Sequence, residues 1–480
     1  MGSQQSSHGL STGPDRTQSP GTSRSLLIQN GLIVTAERRF EAAIRIRGDK
    51  IAEMGLQLPG LEGEQEIDAR GLLVLPGGID PHVHLTAPPS YPQPWVDDFT
   101  SGSRAALAGG ITTLGNMCLP EPGETPLATL QRELEVIQQQ AIADFFLHPV
   151  LNPPTEQTLG ELPELLKVGH RTIKIFMSNQ DFDAHAADFL RAVRQAGQLG
   201  ILTLIHCEDA AILADALQLL VSEGRTDLRY YAESRPPVAE VAAVHRAAAM
   251  AEATGAPLYV AHLTTERALR ICEQAQAGGL TVHVETRPLF LHLTSERYDH
   301  PDRALFIVSP PLREPQDVEA LWDGLVRGTI QTVASDHAAR SREQRLDPFL
   351  KVTNLCLGIN GLQTTLPMLH SEGVLKSRIS LEQFVAISAT NPARIFGLYP
   401  QKGTIAVGTD ADLVLWDPTE VREIRGEDLH SRAGFSIFEG WEITGWPKTV
   451  IRRGEIVYRG GHVTAQAGSG VFVQPTAGEP

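Results

Sequence analysis

The chain has 480 residues, 42% hydrophobic and 20% charged, with a formal net charge of −16. This composition predicts a soluble globular protein with ample core, and the acidic balance excludes nucleic acid as a partner, because phosphate binding needs clustered Lys and Arg. No apolar run reaches roughly 18 residues, so no membrane span is expected, and four scattered cysteines (Cys118, Cys207, Cys272, Cys356) fit a reducing, cytoplasmic setting.

Residues 1–24, rich in Ser, Gly, Gln, Thr and Pro without an apolar stretch, read as a disordered leader. Residues 25–75 (SLLIQNGLIVT, EAAIRIRGDKIAEMG, EQEIDARG) alternate apolar and polar positions between Gly, Asn and Asp, the texture of short hairpins. The same texture returns over 401–465 (GTIAVGTDADLVLWDP, TVIRRGEIVYRGG), which predicts one small β-sandwich assembled from both ends of the chain. Residues 466–480, rich in Gly, Ala and Pro, read as a second disordered tail.

The middle, 76–400, has a different pattern. Strand candidates recur at 71–76, 111–115, 144–150, 172–177, 201–206, 257–262, 280–285 and 330–335. Helix-like stretches lie between most of them, among them TPLATLQRELEVIQQQAIA, HAADFLRAVRQAGQ and VAEVAAVHRAAAMAEATG, and Gly closes the last of these. Strands alternating with helices in this way predict a (β/α)8 barrel. The alternative is an open doubly wound sheet, for which no Gly-rich nucleotide fingerprint is present.

On a barrel, the active site lies at the C-terminal ends of the strands. His82 and His84 follow the first strand two residues apart, and on an extended backbone they share a face. Lys174 lies inside the fourth strand, His206 ends the fifth, His262 the sixth and Asp336 the eighth. Taken singly, His206 or His262 reads equally as a core histidine and Asp336 as a helix cap. Lys174 is the least ordinary, since a lysine in an apolar strand needs a partner. Together the six form a ligand set suited to zinc-like cations.

The text around these positions is specific: PGGIDPHVHL (76–85), DDFTSGSRAALAGGITT (97–113), KIFM (174–177), HCED (206–209), AHLT (261–264), ETRPLFLHLT (285–294), SPPLR (309–313), EALWDGLVRGTIQTVASDHA (319–338) and KGTIAVGTDADLVLWDP (402–418). From about residue 25 to 460 it resembles the cyclic amidohydrolases, most of all the dihydropyrimidinase and hydantoinase branch. The resemblance implies two divalent ions, zinc in the first instance with manganese as an alternative. His82 and His84 would bind one and His206 and His262 the other, with Asp336 completing the first site. Lys174, carboxylated on its amine, would bridge both; an unmodified ammonium would be repelled there. The reaction implied is hydrolytic opening of a small cyclic amide or imide by a metal-bridging hydroxide, with Asp336 as proton shuttle. Ser309 and Asn360 match the family positions that hold the ring imide, although each also reads as a turn residue. A homo-oligomer, tetramer or dimer, is the family habit.

Three departures qualify the substrate. Asn179 stands where hydantoinases carry a tyrosine that supports the oxyanion. LTAPP after His84 lacks the arginine with which dihydroorotases clamp a carboxylate, which places dihydroorotate below hydantoins and dihydropyrimidines. INGLQTTLP (359–367) resembles allantoinases. A non-catalytic scaffold relative would have lost metal ligands, and this chain keeps all six candidates. A mononuclear deaminase-like site would not need Lys174.

Overall fold

The computed structural model describes residues 25–476. The leader expected over 1–24 and the last four residues of the expected tail lie outside them.

Eight parallel strands carry the middle of the chain: β1 (Gly78–Val83), β2 (Ile111–Cys118), β3 (Asp144–Pro149), β4 (Thr172–Phe176), β5 (Leu202–His206), β6 (Leu258–Val260), β7 (Val282–Thr286) and β8 (Thr332–Val333). They form two hydrogen-bonded sheets, β1–β3 and β4–β8, each in sequential order. Single parallel bridges cross both gaps, Val150 with Lys174 and Val83 with His337. The intervening helices follow their sequence signals. Pro126–Gln140 and Glu266–Ala277 are capped by the Thr125 and Thr265 hydroxyls. Pro237–Thr254 ends on Gly255 in the left-handed region, φ 68°. Ala186–Gln198 buries Phe189, Ala192, Val193 and Ala196, the i, i+3, i+4, i+7 stripe of a helix lying on a core.

The two ends of the chain meet in a pair of sheets. One is four-stranded, in the order Lys50–Gly55, Ala43–Arg47, Ser25–Gln29, Gln65–Asp68. The other is seven-stranded and joins Leu32–Val34 and Leu73–Pro76 to Leu413–Glu423, Glu442–Arg452 and Glu455–Arg459. Leu73–Pro76 runs antiparallel to Leu413–Trp416, pairing Leu413 with Pro76 and Trp416 with Leu73. Ile28, Ile46 and Ile51 of one sheet and Ile33, Val74, Leu413 and Ile451 of the other form a shared apolar cluster.

Two expectations change here. The run 71–76 is not the first strand of the parallel set. Its core, Leu73–Pro76, belongs to the seven-stranded sheet, and β1 begins after it at Gly78. The run is apolar throughout because both faces are buried: Val74 points into the cluster between the sheets, while Leu73 and Leu75 join the main core. Gly77 makes the handover, since a Cβ there would stand 2.2 Å from Thr112 Oγ1 on β2. His82 therefore lies within β1, not beyond it. The second change is at the other end. Residues 466–476, expected as a tail, pack on the parallel strands: Gly470 N donates to Ala141 O, Val473 N to Phe145 O and Thr476 N to Gly397 O, and Val473 is buried. Its Gly- and Ala-rich composition reflects close packing, as a Cβ on Gly470 would meet Ala143 O at 2.1 Å. Among the described residues no helix is long and apolar enough to cross a membrane.

Candidate active site

The C-terminal ends of the strands bring the six expected ligands together. His82 on β1 and His84 just past its end present Nε2 to Asp336 Oδ1, at 3.4 and 3.1 Å. At the ends of β5 and β6, His206 Nδ1 faces His262 Nε2 at 3.0 Å. The His82 and His262 rings stack with centroids 5.4 Å apart and connect the two pairs. Lys174, in the middle of β4, is fully buried, and its Nζ has no hydrogen-bond partner. Two of the six sit on unusual backbone: His262 and Asp336 have φ of 39° and 47°. Such left-handed conformations cost of order 1–3 kcal/mol in residues other than glycine and persist where the surroundings fix them. Both occur where a strand ends and its side chain joins the cluster.

The electrostatics suit cations. Burial depresses the imidazole pKa of His84, His206 and, most strongly, His262, which favours the neutral ring, the form that can offer a lone pair to a metal. Burial pushes the Asp336 carboxyl up, but Arg287, His82 and His84 outweigh it and hold the group ionised, well below the usual range. Lys174 is lowered to about 8 by burial, against the pull of Glu285 and Asp336. Ligand atoms about 2.0–2.1 Å from a tetrahedral zinc stand roughly 3.3 Å apart. The 3.0–3.4 Å separations within the two groups match that spacing. His82, His262 and Asp336 alone offer three ligand atoms within 4.8 Å of one another. The residues present therefore fit divalent ions.

A supporting layer orients the ligands, and most of it escaped the sequence reading. Glu285 accepts from His82 Nδ1 at 2.8 Å, from the His262 backbone N–H at 2.9 Å and from the Tyr259 hydroxyl at 2.8 Å, which turns His82 Nε2 toward Asp336. Arg287 Nη1 lies 3.0 Å from Asp336 Oδ2. Glu208 holds His206 Nε2 at 2.8 Å and is itself clamped by Arg235. A signal was present in the sequence: HCED and ETRP each set an acid beside a strand end, and Glu285 is a carboxylate within the short strand VHVET, where it is fully buried. Burial raises the Glu208 carboxyl while Arg235 and His206 outweigh it, leaving it below its usual range. Its stabilisation is present above the ordinary carboxylate pKa and is lost as pH falls through the lower folded value. Glu208→Gln leaves Arg235 without a counter-charge, and a loss of about 3 kcal/mol in denaturant unfolding is expected near neutral pH. An unchanged midpoint would show that the pair contributes nothing.

A cavity of about 330 Å3 opens over the cluster. Ser309 and Asn179 line it, as do Tyr91, Trp95 and three arginines. Ser309 Oγ donates to Glu208 Oε2 at 3.2 Å. Asn179 Nδ2 donates to Asn152 Oδ1 at 3.3 Å, and Asn179 also borders an adjoining cavity of about 590 Å3. Asn360 is placed differently. Its Nδ2 donates to Phe435 O at 2.7 Å, and the residue borders a small separate pocket beside His337 rather than the cavity over the cluster.

Residues 73–457 match the amidohydrolase family. The chain belongs to the amidohydrolase family. Among curated relatives, this amidohydrolase is 38% identical to a D-hydantoinase of Geobacillus stearothermophilus over 456 residues, covering 93% of this chain and 96% of that one. It is 34% identical to a D-phenylhydantoinase of Escherichia coli O1:K1, covering 94% and 98%. Among solved structures, the dihydropyrimidinase of Brevibacillus agri NCHU1002 superposes on the amidohydrolase with a TM-score of 0.90 at 34% identity, covering 95% of this chain and all of that one.

Proposed function

We propose that the protein is a metal-dependent hydrolase that opens a cyclic amide or imide, a dihydropyrimidine or hydantoin ring, at an amide C–N bond. The observation that carries this reading is Lys174 Nζ, buried without a hydrogen-bond partner and within electrostatic reach of His84, His206, His262 and Asp336, in a chain 38% identical to a D-hydantoinase. The eight parallel strands read as a closed (β/α)8 barrel with a composite β-sandwich beside it, over 76–400 and over 25–75 with 401–465.

Two divalent ions, zinc in the first instance, would be held by His82, His84 and Asp336 on one side and by His206 and His262 on the other, bridged by N-carboxylated Lys174. When bound, they activate water for attack and polarise the ring carbonyl. The protein's own groups do the rest. Glu285 and Glu208 fix the histidine rings. Asp336, ionised and braced by Arg287, accepts the nucleophile's proton on its carboxylate and delivers it to the leaving ring nitrogen. Ser309, on the cavity wall, orients the imide, and Asn179 is the nearby amide donor in place of a tyrosine. The four buried free thiols suit a cytoplasmic protein, and assembly into a homo-oligomer follows the family habit.

The test is metal content together with ring opening. Purified protein should carry about two divalent ions per chain and convert dihydrouracil and 5-substituted hydantoins to their N-carbamoyl products, with chelation abolishing turnover. A folded, metal-replete protein that opens none of dihydrouracil, hydantoins, allantoin and dihydroorotate would overturn the reading.

A further inference from the structure

The cavity over the ligand cluster carries more positive charge than ring opening requires. Three guanidinium groups line it, Arg235, Arg287 and Arg340, against the single carboxylate of Asp336. Arg235 is paired with Glu208 and Arg287 with Asp336. Arg340 has no carboxylate within ion-pair distance among the described residues. It is only 2% exposed. Its Nε donates to Leu357 O at 3.0 Å, and Nη1 donates to Gln93 O. A guanidinium keeps its proton at any physiological pH, and buried charges are ordinarily paired.

Arg345 is a useful contrast. It too is buried without an acid, with Nη1 and Nη2 donating to Cys356 O and Ile307 O and Nε left without a hydrogen-bond partner, but it does not line the cavity, so its spare donor faces no ligand space. Arg340 does line it, and it lies over Trp95 and Tyr91 at 5.4 and 5.9 Å. Trp95 in turn stacks on His84 with centroids 5.6 Å apart, so one aromatic ring touches both a metal-ligand candidate and the unpaired cation. In the same cavity Arg287 Nη2 is buried and lacks any partner. A site with such free donor capacity lacks an acceptor-only group that a substrate can bring.

We infer that Arg340 is a specificity-determining residue, and that the preferred substrate is a cyclic amide carrying a carboxylate on a ring substituent. The planar fork of the guanidinium matches a carboxylate, and Trp95 and Tyr91 supply a flat wall beside it. The inference rests on the ring-opening reading above and narrows its substrate class. It also supplies, from a different part of the chain, the cation that is missing from LTAPP after His84.

The experiment compares hydantoin-5-propionate with its isosteric primary amide, using the full-length metal-loaded enzyme. The kcat/KM ratio is expected to favour the carboxylate by about tenfold or more at low salt and to shrink as ionic strength rises. In Arg340→Gln the ratio should fall to about unity, chiefly through KM, and Arg340→Lys should retain part of it. A wild-type ratio of unity or below overturns the inference, whatever the variants do, and points to apolar substituents entering the adjoining cavity. So does an Arg340→Gln enzyme that keeps the wild-type ratio. If Arg340→Gln does not fold, the wild-type ratio and its salt dependence decide alone. Failure to open either hydantoin or dihydrouracil would defeat the ring-opening reading itself; opening both hydantoins equally well defeats only the role of Arg340.

Discussion

Lys174→Met is expected to empty the site of cations and cut turnover at least about a thousandfold, yet to leave the metal-stripped protein more stable than the wild type. The first effect follows from losing the residue proposed to bridge both histidine pairs, since bound metal contributes several kcal/mol of transition-state stabilisation and about 1.4 kcal/mol is tenfold in rate. The second follows from the burial of an amine that has no hydrogen-bond partner. Its pKa falls from 10.5 to about 8 in the folded protein because burial outweighs the attraction of Glu285 and Asp336. At neutral pH the folded state is therefore penalised by about 3 kcal/mol relative to an uncharged side chain of similar size. The penalty is complete below pH 8 and fades as pH rises toward 10.5, where the unfolded chain also gives up the proton. Denaturant unfolding of metal-free proteins at pH 7 and pH 9.5 measures it. A methionine variant that is less stable at pH 7, or that retains its metal, would contradict the assignment. The same shift predicts that metal reconstitution with bicarbonate runs faster at pH 8.5 than at pH 6.5, because carboxylation needs the neutral amine.

Asp336→Asn should separate binding from chemistry. Asparagine still offers an oxygen lone pair to a cation held by His82 and His84, so metal retention is expected, but it cannot take up and return a proton. Turnover should drop by about 10²–10⁴. The variant also strips Arg287 of the carboxylate 3.0 Å from its Nη1, and loss of about 3 kcal/mol of stability is expected. Adding Arg287→Met should restore much of that stability without restoring turnover. Undiminished turnover in Asp336→Asn, with metal bound, would remove the proton-transfer role.

The ligand candidates were legible because each combines a polar side chain with an apolar strand or its end, a conflict that a sequence displays directly. Lys174 in TIKIF and His206 closing LTLIH need no partner to be noticed. Their partners were harder to see. Glu208, Arg235, Glu285 and Arg287 are charged residues near turns, ordinary in composition, and only the folded geometry shows that they act on the histidines. Arg340 gave no sign at all, because its burial comes from residues 91–95 and 357–358, far away in the chain. The first parallel strand was misread for a related reason. Leu73–Pro76 is buried on both faces between a sheet and a larger core, and periodicity does not distinguish that setting from the inside of a barrel. Asn360 followed its family position, but its side-chain amide is turned to Phe435 O.

The antiparallel pairing of Leu73–Pro76 with Leu413–Trp416 sets a schedule for the nascent polypeptide. At ribosomal rates of about 5–20 residues per second, the early segment waits roughly 20–70 s before its partner has been translated. Throughout that interval an aliphatic strand edge stands open to other chains, so chaperone demand during expression should centre on this segment rather than on the catalytic mouth.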